Sequence, residues 1–207
     1  MQHIASIPLT FSIPQPLQET LMPYRFHLTR TSVSLATFAL AAALLSGCGS
    51  MGGATPVTAN AALVPTGAIT PNPTTGNVTF TALAHGVRVV GQVGGLAPGS
   101  EHGFHIHDKG DCANNGDAAG GHFNPGGTAH GKFDSAASHA GELPSLLANG
   151  EGVVRFDFTL HAASLGTGAA NDAIGHALIV HRDRDDFTTQ PSGNAGPRVA
   201  CAVITRS

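Results

Sequence analysis

His105 and His107 stand two residues apart, and the chain around them is crowded with imidazole. Between His102 and Glu142 lie His102, His105, His107, His122, His130 and His139, half of the twelve histidines in the sequence. His181 comes later, at the end of the apolar run ALIVH. On a strand, residues at i and i+2 project from one face, so His105 and His107 can bind one metal without distorting the backbone. Imidazole suits Zn, Cu, Fe or Ni, and four nitrogens in a tetragonal array suit Cu(II). Histidines joined by a carboxylate suit tetrahedral Zn, and Glu142 follows His139 by three residues. Any one of these histidines, taken singly, reads as an exposed loop residue. The clustered set reads as a site for two metals, assembled from loops and strand ends.

The elements that must position these side chains read as short strands. Residues 61–65 (AALVP), 77–84 (NVTFTALA), 86–93 (GVRVVGQV), 102–107 (HGFHIH), 177–181 (ALIVH) and 199–205 (VACAVIT) are β-prone and bounded by Gly- and Pro-containing turns. Residues 152–160 (GVVRFDFTL) alternate, with Arg155, Asp157 and Thr159 on one face and Val154, Phe156, Phe158 and Leu160 on the other. That pattern predicts a half-buried strand with one wet face. No stretch shows the period of a useful amphipathic helix. Many short strands between turns predict an all-β antiparallel sandwich or barrel. Two long gaps, 108–150 and 182–198, break the rhythm. Long loops inside a compact domain are usually functional, and these contain or flank the histidines.

The chain of 207 residues carries a formal net charge of −3. Nothing is strongly basic, which argues against nucleic acid as a partner. Residues 33–45 (VSLATFALAAALL) form an apolar run too short to span a bilayer comfortably. Arg25, His27 and Arg30 precede it and LSGC follows, the layout of an export signal. Ser46-Gly47-Cys48 resembles a bacterial lipobox, in which Cys48 would carry the lipid and become the mature N-terminus. A plain signal peptide or a buried apolar helix is the alternative. Residues 1–21 contain three prolines and look unlike a signal n-region, so translation is expected to start at Met22. The expected organisation is a signal peptide over 1–47, a lipid-anchored flexible linker of small residues over 48–59, and a folded domain over 60–207. The location would be periplasmic or cell-surface, with the membrane as a partner through Cys48. Lipidation of Cys48 leaves Cys112 and Cys201 as an even pair.

The motifs HGFHIH, GGHFNP, H-x7-H, H-x8-H, LIVH and GNAGPRVAC closely resemble, in order and spacing, the copper/zinc superoxide dismutases, particularly their exported bacterial branch. The resemblance implies an immunoglobulin-like, Greek-key β-sandwich or flattened barrel with two long functional loops. It implies dismutation of superoxide to oxygen and hydrogen peroxide by a copper centre bridged to zinc. His105, His107, His122 and His181 would hold copper. His122, as the bridging imidazolate, would hold zinc together with His130, His139 and Glu142. The family has Asp where this chain has Glu142. Asp185 falls where a carboxylate links one copper and one zinc histidine. Cys112 and Cys201 match the intrasubunit disulfide, and Arg198 the arginine beside copper. His102 matches no ligand and reads as a packing or hydrogen-bonding residue. Bacterial members differ in oligomeric state, and a homodimer is compatible with the resemblance. An inactive copper- or zinc-storage module of the same fold is the alternative function, and it would have no use for Arg198.

Attraction of an anionic substrate is not obvious from the charges. From Cys48 onward, eight Lys and Arg face twelve Asp and Glu. Lys109, Arg182 and Arg184 are candidates for a local positive rim, although Asp183, Asp185 and Asp186 interleave with the two arginines.

Overall fold

The computed structural model describes residues 55–67 and 73–207. The export segment, Cys48 and most of the linker lie outside the described residues. Ten strands follow in order: β1 (Thr58–Pro65), β2 (Thr75–Ala82), β3 (Val87–Gly94), β4 (Glu101–His102), β5 (Phe104–His107), β6 (Leu146–Leu147), β7 (Val154–Leu160), β8 (Ala177–His181), β9 (Arg198–Val203) and β10 (Thr205–Arg206). Among the described residues the helical content is one 3-10 segment, Asn114–Ala119, between β5 and β6. Among the described residues no helix is long and apolar enough to cross a membrane.

Every pairing between these strands is antiparallel. One curled sheet runs β5-β8-β9-β1-β2-β3-β7, with β10 also on β1, while β4 and β6 form a separate ribbon. β1 joins the two halves: Thr58 to Leu63 pair with β2, and Val64 and Pro65 pair with Cys201 and Ala200 of β9. The all-β antiparallel expectation agrees with this sheet.

Alternation decides which half of each strand is core. β1 buries Ala59, Ala61 and Leu63, β2 buries Val78 and Phe80, and β3 buries Val87, Val89 and Val93. The predicted wet face of β7 is present, since Arg155 and Asp157 are exposed while Val154 and Leu160 are buried. β5 divides the same way. Phe104 and Ile106 enter the main core, and His105 and His107 occupy the other face. Burying each of those two apolar side chains contributes roughly 1.5–3 kcal/mol. β8 is buried on both faces. Its Leu178 and Val180 belong to the main core, and Ala177 and Ile179 to a small cluster with Ala119 and Cys201.

Four expectations need correction. HGFHIH is two strands, because Gly103 leaves the ladder: its N–H donates to Asp183 O and its carbonyl accepts from His181 N. β4 therefore pairs with β6, and β5 with β8. The last strand is broken at Ile204, whose main chain bonds to Gly175 and His176 instead. The long gap after β5 holds the 3-10 segment and β6. The first strand, expected over 61–65, begins at Thr58.

Candidate metal centre

The main chain of Ile106 sets the register of the site. Its N–H donates to Gly141 O at 2.9 Å, and its carbonyl accepts from Phe123 N at 2.8 Å. Gly141 N in turn donates to Phe123 O at 2.9 Å. Three segments distant in sequence are thereby laced together, with His107 opposite His122 and His105 opposite Glu142 as isolated antiparallel bridges. β8 lies on the other edge of β5 and ends in His181.

Two donor sets result. His105, His107, His122 and His181 each bring a ligand atom within 4.8 Å of the others, and so do His122, His130, His139 and Glu142. His122 belongs to both, and all seven residues are buried. His102 belongs to neither. It is held between His181 O at 2.8 Å and Ser100 Oγ at 2.6 Å, the hydrogen-bonding role expected of it.

The partners of each ring dictate which nitrogen is free. His107 Nδ1–H donates to Gly120 O at 2.9 Å, and His181 Nδ1–H donates to Gly196 O at 3.0 Å. Each ring then points an Nε2 lone pair inward, and these two atoms lie 3.2 Å apart. His105 Nε2–H donates to Asp185 Oδ2 at 2.8 Å, which leaves His105 Nδ1 buried with no partner among the described residues. His122 Nε2 is likewise buried and unpartnered. Four acceptor nitrogens converging without a donor is an arrangement that a cation stabilises, and four imidazoles fit copper.

The second set is ordered around Glu142. Its Oε1 lies 3.0, 2.9 and 2.7 Å from Nδ1 of His122, His130 and His139. Three nitrogens and one carboxylate oxygen fit zinc. The extra methylene of Glu, compared with the Asp that the resemblance implies, still lets the carboxylate meet all three rings. Asp185 ties the sets together, accepting from His105 through Oδ2 and from His130 Nε2 through Oδ1 at 2.9 Å. Such carboxylates fix ring tautomer and orientation. Gly193, at φ +65°, packs over this contact, and a Cβ there would lie 2.6 Å from His130 Nε2. Gln190 holds the main chain of His130 from both sides, accepting from its N–H at 2.8 Å and donating to its carbonyl at 3.0 Å.

Protonation favours ligation. Burial, aided by neighbouring imidazoles, holds His105 and His107 well below the ordinary histidine range. Burial lowers His181 to about 4. Burial alone would raise Glu142, but its hydrogen bond to His122 and the surrounding rings bring it below the ordinary carboxylate range. At neutral pH the His105, His107 and His181 rings present lone pairs and Glu142 presents a charge.

A cleft reaches the first set. His107, His122, His181 and Arg198 line it, with Asp117 and Asn124. Arg198 opens β9 and pairs across the sheet with His181, where a register shift interrupts the ladder. Its Nη1 donates to Gly116 O, and its Nη2 donates to Gly120 O at 2.6 Å. Cys112 and Cys201 form a disulfide, with Cα atoms 5.8 Å apart, that joins this loop to β9. Of the expected rim, Lys109 is exposed next to Gly120. Arg182 is paired with Asp183 at 2.8 Å, and neither Arg182 nor Arg184 lines the cleft.

A model of the family described as copper/zinc superoxide dismutase (SODC) matches residues 74–204. The chain belongs to that family. It is 38% identical over 143 residues to a Cu-Zn superoxide dismutase of Paramecium bursaria Chlorella virus 1, covering 66% of this chain and 75% of that one. It is 40% identical over 114 residues to Cu-Zn superoxide dismutase 2 of Aquifex aeolicus strain VF5, covering 53% and 67%. Among solved structures, the clock protein EA4 superposes with a TM-score of 0.63 at 37% identity, covering 73% of this chain and 95% of that one. A SOD-like protein from Bacillus subtilis superposes with a TM-score of 0.62 at 32% identity, covering 70% and 96%. The family implies copper and zinc as cofactors, and the two donor sets fit them.

Sequence reasoning missed the parts that act through the main chain or through small residues. The carbonyls of Gly120 and Gly196 aim His107 and His181, and Gln190 and Gly193 steady His130. Of these, only Gln190 has a side chain whose chemistry could have drawn notice. Asp117, on the cleft, was also missed.

Proposed function

We propose that this protein is a superoxide dismutase, converting two superoxide anions and two protons to oxygen and hydrogen peroxide. One observation carries the reading: a buried imidazole, His122, is shared by a four-histidine set and a three-histidine-carboxylate set, in a cleft that also holds an arginine. Bound copper would supply the one-electron oxidation and reduction that dismutation alternates, and bound zinc would hold the far side of the His122 ring. His130, His139 and Glu142 surround Nδ1 of His122, so the ring keeps its orientation while Nε2, on the cleft side, takes up and delivers a proton to the departing peroxide. Arg198 attracts the anion and orients it by a charge-assisted hydrogen bond. Diffusion-limited rates and electrostatic steering are general descriptions of superoxide dismutases.

The deciding measurement is superoxide dismutation by purified protein loaded with copper and zinc, beside His122→Ala. Activity in the wild type and its loss in the variant are expected. Full metal occupancy without activity would support the second reading, a metal-storage module. That reading draws on a structural neighbour described only as SOD-like. Arg198 favours the enzyme, because a cation lining the cleft can attract an anionic substrate, which storage does not require.

The exported lipoprotein reading supports a place for this chemistry outside the cytoplasm. The basic segment, the short apolar run and Cys48 support it, and a disulfide suits an oxidising compartment. Labelling with a radioactive fatty acid in a bacterial host should mark the wild type and not Cys48→Ser. Equal labelling of both would remove Cys48 as the anchor.

A further inference from the structure

Arg198 carries five N–H donors. Its two terminal nitrogens already serve Gly116 O and Gly120 O. Among the described residues Nε makes no hydrogen bond, and one carboxylate lies within ion-pair range of it: Asp117 Oδ1, at 3.8 Å. That is too long for a hydrogen bond and short enough for a strong field. The Asp117 side chain is 79% exposed, against 16% for Arg198, and both line the cleft with His107, His122 and His181.

Asp117 has no structural employment for its carboxylate. Asp111, Asp172 and Asp186 each accept main-chain N–H groups of their own turns. The main-chain carbonyl of Asp117 accepts from Gly120 N, but among the described residues no hydrogen bond reaches its side chain. The 3-10 segment that presents it is kinked by positive φ at Asn115 (58°) and Gly116 (86°), immediately before it.

We propose that Asp117 is an internal competitor at the anion site, a carboxylate that contends with the incoming substrate for the Nε–H of Arg198. The proposal rests on the dismutase reading. A shift of about 1 Å brings Oδ1 into hydrogen-bond range. Rotation of an exposed side chain takes picoseconds to nanoseconds, so the competition is at equilibrium during each encounter. Its effect is a lower affinity of the cleft for every small anion. Removing one unit charge this close to the guanidinium, in a solvated cleft, is expected to change anion affinity by about threefold to fivefold, with the gain fading as salt screens it.

The test compares Asp117→Asn, Asp117→Glu and wild type, all loaded with copper and zinc. Glu151→Gln serves as a control that removes the same net charge outside the cleft. Azide binding is followed through the visible copper band, and kcat/KM for superoxide is measured at low and high ionic strength. Asp117→Asn should bind azide about threefold to fivefold more tightly and raise kcat/KM at low salt. Asp117→Glu and Glu151→Gln should stay near wild type. An unchanged azide affinity in Asp117→Asn, or an equal gain in Glu151→Gln, overturns the proposal. A wild type that holds both metals and lacks activity overturns the dismutase reading, and the azide arm still judges Asp117.

Discussion

Glu142 carries one more methylene than the aspartate usual in the family, and its Oε1 nevertheless meets His122, His130 and His139 within 3.0 Å. Reconstitution should therefore give one copper and one zinc per chain, and a protein that holds copper but no zinc would overturn this role for Glu142. Asp185→Asn leaves one of two ring N–H groups without its acceptor, and is expected to weaken metal binding roughly 10- to 100-fold by competition with a chelator. The buried rings also make the metal-free protein sensitive to acid. His105, His107 and His181 are held below the ordinary value of 6.5, His181 at about 4. Between those values the unfolded chain binds more protons than the folded one, so stability falls as pH drops through this window. Below it Glu142, whose folded value is depressed, adds to the loss as it protonates. His130, raised by Asp185 and Glu142 against the effect of burial, acts in the opposite sense and is outnumbered. Urea titrations of the metal-free protein from pH 7 to pH 4 should show a falling midpoint; a flat midpoint contradicts the argument.

At the level of elements, the strand carrying the paired histidines was legible because its chemistry and its packing alternate: Phe104 and Ile106 face the core while His105 and His107 face the site. The break at Gly103 was not legible. It depends on main-chain bonds to residues 181 and 183, and main-chain partners leave no mark on residue type. The same holds for the Gly120 and Gly196 carbonyls that orient two of the rings. The disulfide was readable through resemblance, and the structure adds its purpose. Cys112 and Cys201 close a separation of 89 residues and fasten the loop that supplies both acceptors of Arg198. Chain-entropy reasoning gives about 4–5 kcal/mol for a loop of that size, a Tm loss of roughly 10–15 °C for a domain near 150 residues. Cys112→Ser is expected to show that loss together with reduced activity at temperatures where it remains folded. Full activity in the folded variant would show that Arg198 needs no such fastening.

Over the whole molecule the charge is unfavourable for an anionic substrate, with twelve Asp and Glu against eight Lys and Arg from Cys48 onward. Attraction must be local, and the structure narrows the cations that can provide it. Arg182 is neutralised by Asp183, which leaves Arg198 inside the cleft and Lys109 beside Gly120. The expected outcome is a kcat/KM that falls with ionic strength, and a shallower fall in Lys109→Ala. The same slope in that variant would exclude Lys109 from steering.

The carbonyl of Gly120 receives both His107 Nδ1–H and Arg198 Nη2–H. One oxygen thus serves as the shared hinge pin for a metal-holding ring and for the group that greets the substrate. Whatever lifts that segment, whether reduction, heat or a clumsy substitution, unseats both together. Damage at this point should divide a population into intact and disabled molecules, with few that grip their metal yet have forgotten how to receive an anion.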